Sequence, residues 1–410
     1  MTAVVAPPAT SERPIDRKRA RLGLLIWALM FFNGMAYTKL PTVLPIPSAM
    51  AKLATQAALA LVTVLVLIFN RRRIVRPNIV LTLFSLLAVT TLMTAVQPKF
   101  GLGTGFRTGR FCVFIAVLWL LTPLWGRRDR ILLRWHTICL TVVLATVALG
   151  FVIAPGKARS FDGRLSGALW PIQPTQVAHY AAVLAGIVFV LLIAGEIRPR
   201  YAWLLGGSCI VMLMLTHTRT ALTGLLVGLV CATISLITVR RRARRMAVVG
   251  ILVAVLAVTI FVPAISHWYS RGSTSQNVHQ LNGRTKVWNA LVAEPRSTFV
   301  ELFGIGLTNK SFNGLPIDNS WYSTYQDEGL FGVAICAAIF LSLLLLAATR
   351  PRGPGLAVAI FLITYCIVAS WTETGLGDVS PYILDLTVAA ALIAVPAETR
   401  LRAEAHLHAG

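Results

Sequence analysis

Asp318–Ala348 reads DNSWYSTYQDEGLFGVAICAAIFLSLLLLAA, a polar and aromatic segment that passes at Gly329 into a run with no charged side chain. That run has the length of roughly 20 residues that a hydrocarbon core of about 30 Å demands of a helix. Similar apolar runs lie at Leu22–Thr38, Ala49–Phe69, Asn78–Val96, Phe111–Trp125, Ile131–Ile153, Val177–Gly195, Tyr201–Leu215, Thr220–Val239, Met246–Ile265, Gly355–Trp371 and Pro381–Val395. The expectation is an all-α polytopic membrane protein of about twelve helices, because open strands cannot satisfy their backbone in lipid. Composition agrees: of 410 residues 56% are hydrophobic and 13% charged, and mean hydropathy is +0.74. A soluble domain is excluded.

Arginine placement predicts orientation, because short loops retained in the cytoplasm carry the excess of Lys and Arg. Clusters at Arg13–Arg21, Arg71–Arg76, Arg127–Arg130, Arg198–Arg200, Arg240–Arg245, Arg350–Arg352 and Arg400–Arg402 share one side if the span count is twelve. Both termini are then cytoplasmic. The net charge of +23 is largely explained this way, and no nucleic-acid partner is needed. Residues 1–21 read as a retained disordered tail, 22–265 as nine spans, 266–328 as a large extracytoplasmic loop, 329–396 as three more spans and 397–410 as a second tail. Cys112, Cys139, Cys209, Cys231, Cys336 and Cys366 fall in or beside apolar runs without a close pair, which reads as core packing and as neither a disulfide framework nor a metal site.

Basic residues on the predicted outer side need another reason to exist. They are Lys99, Arg107, Arg110, Lys157, Arg159, Arg164 and Arg219, with Arg271, Arg284, Lys286, Arg296 and Lys310 in the large loop. Two readings stand: snorkelling to the interface and anionic headgroups, or convergence on a polyanion such as a diphosphate, which guanidinium groups grip in forked pairs. Arg219 lies in Thr216-His217-Thr218-Arg219-Thr220-Ala221, barely long enough to turn between two helices. At a helix start it would have backbone N–H groups and a positive dipole end beside it. His217 either titrates and donates or serves the turn.

In the large loop, Gly283-Arg284-Thr285-Lys286-Val287-Trp288 opens a predicted amphipathic helix to about Ala293, ended near Pro295, and Gly304-Ile305-Gly306 marks a turn. Trp268, Tyr269, Trp288, Phe312, Trp321, Tyr322 and Tyr325 are many aromatics for one loop. Interfacial belts account for some. Others would stack on sugar rings whose hydroxyls pair with Asp318 or Asn319. Asp318 is either a general base or a turn-forming acid. Glu328 reads as a helix-start acid on the dipole of the span that follows.

These residues resemble the superfamily of O-antigen ligases and O-antigen polymerases, bacterial envelope glycan enzymes. The resemblance rests on the topology, on Gly163-Arg164-Leu165-Ser166-Gly167 with Pro171 and Pro174, on Thr218-Arg219-Thr220-Ala221, on Gly283-Arg284 with Trp288, on Gly304-Ile305-Gly306, and on Asp318-Asn319 with Glu328-Gly329 and Gly332. It implies transfer of a polyprenyl-diphosphate-linked glycan to a sugar hydroxyl at the outer face of the bacterial cytoplasmic membrane. Arg219 and Arg284 would hold the diphosphate, with Arg164 a third. His217, Lys286, Trp288, Asn319, Trp321 and Tyr322 would contact substrate. No metal or cofactor is required, since the arginines stabilise the leaving charge, and proteins that export the glycan or set its length would be partners. One departure stands out: ligases of the family commonly carry His-Asn where this chain has Asp318-Asn319. That favours a polymerase, whose acceptor is a lipid-linked repeat, over a ligase acting on a lipid or envelope acceptor. A transporter or flippase of lipid-linked sugars would use similar basic loops but should show polar or broken helices near the bilayer midplane.

Overall fold

The computed structural model describes residues 16–35, 40–43, 45, 47–95, 101–159, 162–250, 252 and 283–395. The expectations for Lys99, Trp268, Tyr269, Arg271, most of Met246–Ile265 and most of both tails lie outside these residues. Helices follow the predicted runs: α1 Arg17–Gly34, α2 Ser48–Phe69, α3 Ile79–Ala95, α4 Gly101–Leu120, α5 Ile131–Ile153, α6 Pro155–Ala158, α7 Pro174–Ala194, α8 Pro199–Thr216 and α9 Arg219–Ile237. After them come α10 Arg284–Ala293, α11 Thr298–Phe303, α12 Ser320–Ala348, α13 Pro354–Ala369 and α14 Pro381–Ile393. Residues 241–250 are helical as well. Among the described residues, six helices are long and apolar enough to cross a membrane: α2, α5, α7, α9, α12 and the helix from Gly103 to Leu124. The chain is a multi-pass membrane protein.

Its core is α7 and α13, which bury residues on every face, as helices apolar all round do. Helix α13 packs on α9, α14 and α7. Close approach needs glycine: a Cβ on Gly186 would fall 1.8 Å from the Phe361 ring, and one on Gly228 2.7 Å from it. Small residues at such interfaces replace the hydrophobic drive that lipid removes. The outside is apolar instead, with Leu53, Val64, Val142, Val152, Leu204 and Ile234 exposed. A surface of that kind belongs against acyl chains.

Two helices begin nine or ten residues before the predicted start. Helix α4 starts at Gly101 and not Phe111, so Arg107 and Arg110 are helical residues and not loop residues. Their stretch is rich in glycine, a poor helix former, but tertiary contacts hold it: Arg110 donates to the Asn33 carbonyl at 2.6 Å, and Arg107 to Thr308 and Asn309. Helix α12 starts at Ser320 and not Gly329, because Asn319 caps it by accepting from the N–H groups of Trp321 and Tyr322 at 2.8 and 3.1 Å.

At Gly329 (φ 67°, ψ −163°) α12 is interrupted, which frees carbonyls upstream. Those of Gln326 and Asp327 accept from the N–H groups of Ile305 and Gly306, at 3.0 and 2.8 Å. The predicted glycine turn is therefore a strap seated on the break. Glu328, read as a helix-start acid on the dipole of the span, stands immediately before that break. It is fully buried beside Gly332 and Gly377.

A candidate active site at one rim of the bundle

The C-terminal ends of α1, α8 and α13 and the N-terminal ends of α7, α9, α12 and α14 meet at one rim, as antiparallel succession requires. The 370–380 turn between α13 and α14 forms its floor. Three hydrogen bonds clamp this turn to the start of α12: Ser320 N–H to the Ser370 carbonyl at 2.8 Å, Asn319 Nδ2 to the Trp371 carbonyl at 2.8 Å, and Ser320 Oγ to the Glu373 carbonyl at 2.7 Å. Asp318 and Glu373, 55 positions apart in the chain, become neighbours by that clamp.

Arg284 is the first residue of α10, after Gly283 in the left-handed region. Its Nη2 lies 3.0 Å from Asp318 Oδ2, and its Nη1 donates to the Thr372 carbonyl at 3.4 Å. Arg219 is the first residue of α9. The next residue, Thr220, shares a hydrogen bond with the Thr372 hydroxyl, so α9 starts against the same turn. Arg164 reaches in from the segment before α7, its Nε donating to the Thr216 carbonyl at 2.8 Å and its Nη2 to Thr218 Oγ1 at 3.0 Å. Burial pulls its guanidinium below the ordinary value, Glu373 and Asp162 oppose that, and Arg284 adds to the fall. Two predicted diphosphate ligands thus begin helices, where backbone N–H groups and the dipole favour an anion. The third braces the turn that carries Arg219.

The predicted sugar contacts have other neighbours. Trp288 is buried, stacks on Tyr322 with ring centroids 5.1 Å apart, and donates Nε1–H to the Ile317 carbonyl at 2.6 Å. With Val287, Leu291 and Ile317 it forms a small core under α10. Trp321 donates to Ser370 Oγ at 3.0 Å, and Asn319 commits its amide to the cap and the clamp. Lys286 is exposed on α10, and His217 ends α8 in the left-handed region (φ 51°). Trp288, Tyr322, Trp321 and Asn319 therefore build the frame that carries Arg284 and Asp318.

Glu373 escaped the sequence reading. Burial raises its carboxyl from 4.5 to about 7, with Arg284 and Arg164 opposing and Asp318 reinforcing the rise. It lines a cleft of about 200 Å³ with Gln173, Gln176, His179, Asp378 and Tyr382. Lys310, also on this cleft, is ion-paired with Asp327; burial would lower its pKa, but Asp327, Glu328 and Asp378 hold it above the ordinary value.

Beneath the cleft sits a second group that the sequence reading passed over. Asp385 on α14 lies 2.8 Å from His136 Nε2 of α5 and 3.0 Å from His179 Nε2 of α7, all three fully or almost fully buried. The visible signal was an acid and two histidines inside apolar runs, because intramembrane ionisable residues pair or function.

Residues 207–335 match the family model described as O-antigen ligase. Over that segment the resemblance read from the sequence is borne out. The segment holds Arg219, Arg284, Asp318 and Asn319, and excludes Arg164, Glu373 and the His136–Asp385–His179 group. No curated protein matches the chain.

Proposed function

We propose that this protein is a glycan polymerase at the outer face of the bacterial cytoplasmic membrane, with about twelve spans and both termini inside. Its donor is a polyprenyl-diphosphate-linked saccharide and its acceptor a hydroxyl of a lipid-linked repeat. The observation that carries the reading is the rim itself, where Arg164 and Arg284 act electrostatically on a carboxyl raised to about 7.

Each part has a chemical task. Arg284 and Arg219, with the N–H groups of the helices they begin, hold the diphosphate. Glu373 takes the proton of the acceptor hydroxyl as its oxygen bonds to the anomeric carbon. The bond from that carbon to the phosphate oxygen breaks, and polyprenyl diphosphate leaves with the electron pair. A base poised near the working pH suits this step, and preorganised donors on the leaving oxygen contribute about 2.7–4 kcal/mol each by analogy with oxyanion sites. Asp318, engaged by Arg284 at 3.0 Å, orients that arginine and leaves the base role to Glu373.

The family description favours a second acceptor, a lipid or envelope glycan as in a ligase. The chemistry is then the same. The buried His136–Asp385–His179 group and the broken α12 favour a third reading, a transporter of lipid-linked sugars. Purified protein in lipid, supplied with the polyprenyl-diphosphate oligosaccharide of its own host, separates them. A polymerase yields product ladders that survive EDTA and vanish with Arg284→Ala or Glu373→Gln. A ligase needs an added acceptor before polyprenyl diphosphate appears. Release of none under either condition would leave the transporter.

A further inference from the structure

The cleft beside Glu373 has a chemistry that the diphosphate site does not use. Its walls carry amides, hydroxyls and carboxylates, from Gln173 and Gln176 before and within α7 to Asp378 and Tyr382 beyond the floor turn. Three polar atoms at this place are buried with no hydrogen bond: Gln176 Oε1 and both ring nitrogens of His179, of which Nε2 has the ion-pair contact to Asp385. Buried polar atoms normally find partners, and exceptions call for a missing one.

His179 is only 2% exposed, and its Nε2 lies 3.0 Å from Asp385. The carboxylate beside Nε2 fixes the ring and leaves Nδ1 for a ligand hydroxyl. The Tyr382 ring packs on the imidazole at 4.3 Å between centroids, which further limits its motion. At about 200 Å³ the cleft lies below the roughly 300 Å³ at which pockets for drug-sized ligands begin. That suits one sugar ring and not an extended chain.

We infer that this cleft is the acceptor-sugar pocket, taking a single monosaccharide ring with Gln176, Asp378 and His179 as hydroxyl partners and turning one hydroxyl toward Glu373. Asp385 and His136 act through His179 as positioning residues. The inference rests on the transferase reading, since it is Glu373 that joins the pocket to the arginines. It divides the site in two: the arginines hold the donor's diphosphate on one side of the carboxyl, and the pocket seats the acceptor on the other.

The test uses the whole protein in lipid nanodiscs and two probes. Saturation-transfer NMR reads binding of a panel of methyl hexosides, and a thermal shift reads binding of undecaprenyl diphosphate. Wild type should give a saturation signal for at least one hexoside. Gln176→Ala and Asp378→Asn should each cut it fivefold or more, while the undecaprenyl diphosphate shift stays unchanged. The shift itself, retained in each variant, certifies folding. A hexoside signal that is absent from wild type, or unchanged in both variants, overturns the pocket and leaves the transferase reading intact. Hexoside binding without any undecaprenyl diphosphate shift in wild type overturns the acceptor role together with the reading beneath it.

Discussion

Two acid-bearing segments face one another across the rim, and they differ in how the protein treats their charge. In 316–322, Asp318 is partly exposed and has its oxygen on Arg284. In 370–380, Glu373 faces two arginines, yet burial outweighs them and its carboxyl rises to about 7. A carboxyl raised to near neutrality can take a proton and release it. The segment matching the O-antigen ligase family holds the first acid and excludes the second. The family match therefore does not reach the carboxylate proposed as the base.

The most decisive break of this contrast is to neutralise each acid in turn. Glu373→Gln should lower turnover by about 10²–10⁴-fold, the range of a positioned general base, and Asp318→Asn by about tenfold, as a base would tolerate the loss of a neighbour that only steers Arg284. Product ladders by gel or mass spectrometry read both, and equal losses would erase the distinction. Next in size, Arg284→Ala should cost about 10²–10³-fold in kcat, the effect of removing one donor from a developing anion. Adding EDTA should change neither wild type nor variant.

The pH profile sharpens the comparison further. The rate should rise with pH through an apparent pKa of about 7. Asp318 raises the Glu373 pKa and Arg284 lowers it, so Asp318→Asn should move the limb to lower pH and Arg284→Ala should move it higher. Shifts of the same sign would contradict the electrostatics. Stability gives a smaller effect with a definite sign. A carboxyl whose folded pKa exceeds its ordinary 4.5 binds its proton more tightly in the fold, so stability declines as pH climbs from 4.5 through about 7. Glu373→Gln should then gain in Tm over wild type at pH 8 and match it at pH 4. Asn319→Ala should cost about 1–3 kcal/mol, because it removes the helix cap and the bond to the Trp371 carbonyl together, lowering Tm by several degrees.

What the sequence made legible follows the range of the interactions. Arg219 and Arg284 were readable as helix starts because a short polar turn leads into an apolar run at the first and Gly283 opens a helical stretch at the second. The helix Arg284–Ala293 was readable in the same way. Trp288 and Tyr322 looked available to sugars because loop aromatics carry no mark of what they stack on, and here they stack on each other. Glu373 was not legible. Its local context, Trp371-Thr372-Glu373-Thr374-Gly375, is an ordinary polar turn, and its character comes first from burial and then from Arg284, Asp318 and Arg164, all remote in the chain. Asp385 was hidden for a different reason: one acid in an apolar run barely alters its hydropathy, and its two partners sit on helices far upstream.

Asp385 also dictates an order of assembly. It rides on α14, so during synthesis it reaches the membrane after α5 and α7, which carry His136 and His179. A lone aspartate at the centre of an inserting helix costs about 2.5–3.5 kcal/mol on translocon scales. A bundle that already presents two imidazoles offsets that penalty. Helix α14 should therefore be drawn in by α5 and α7, and a chain truncated before Pro381 would display two buried histidines without their acid, a defect that membrane quality control could recognise.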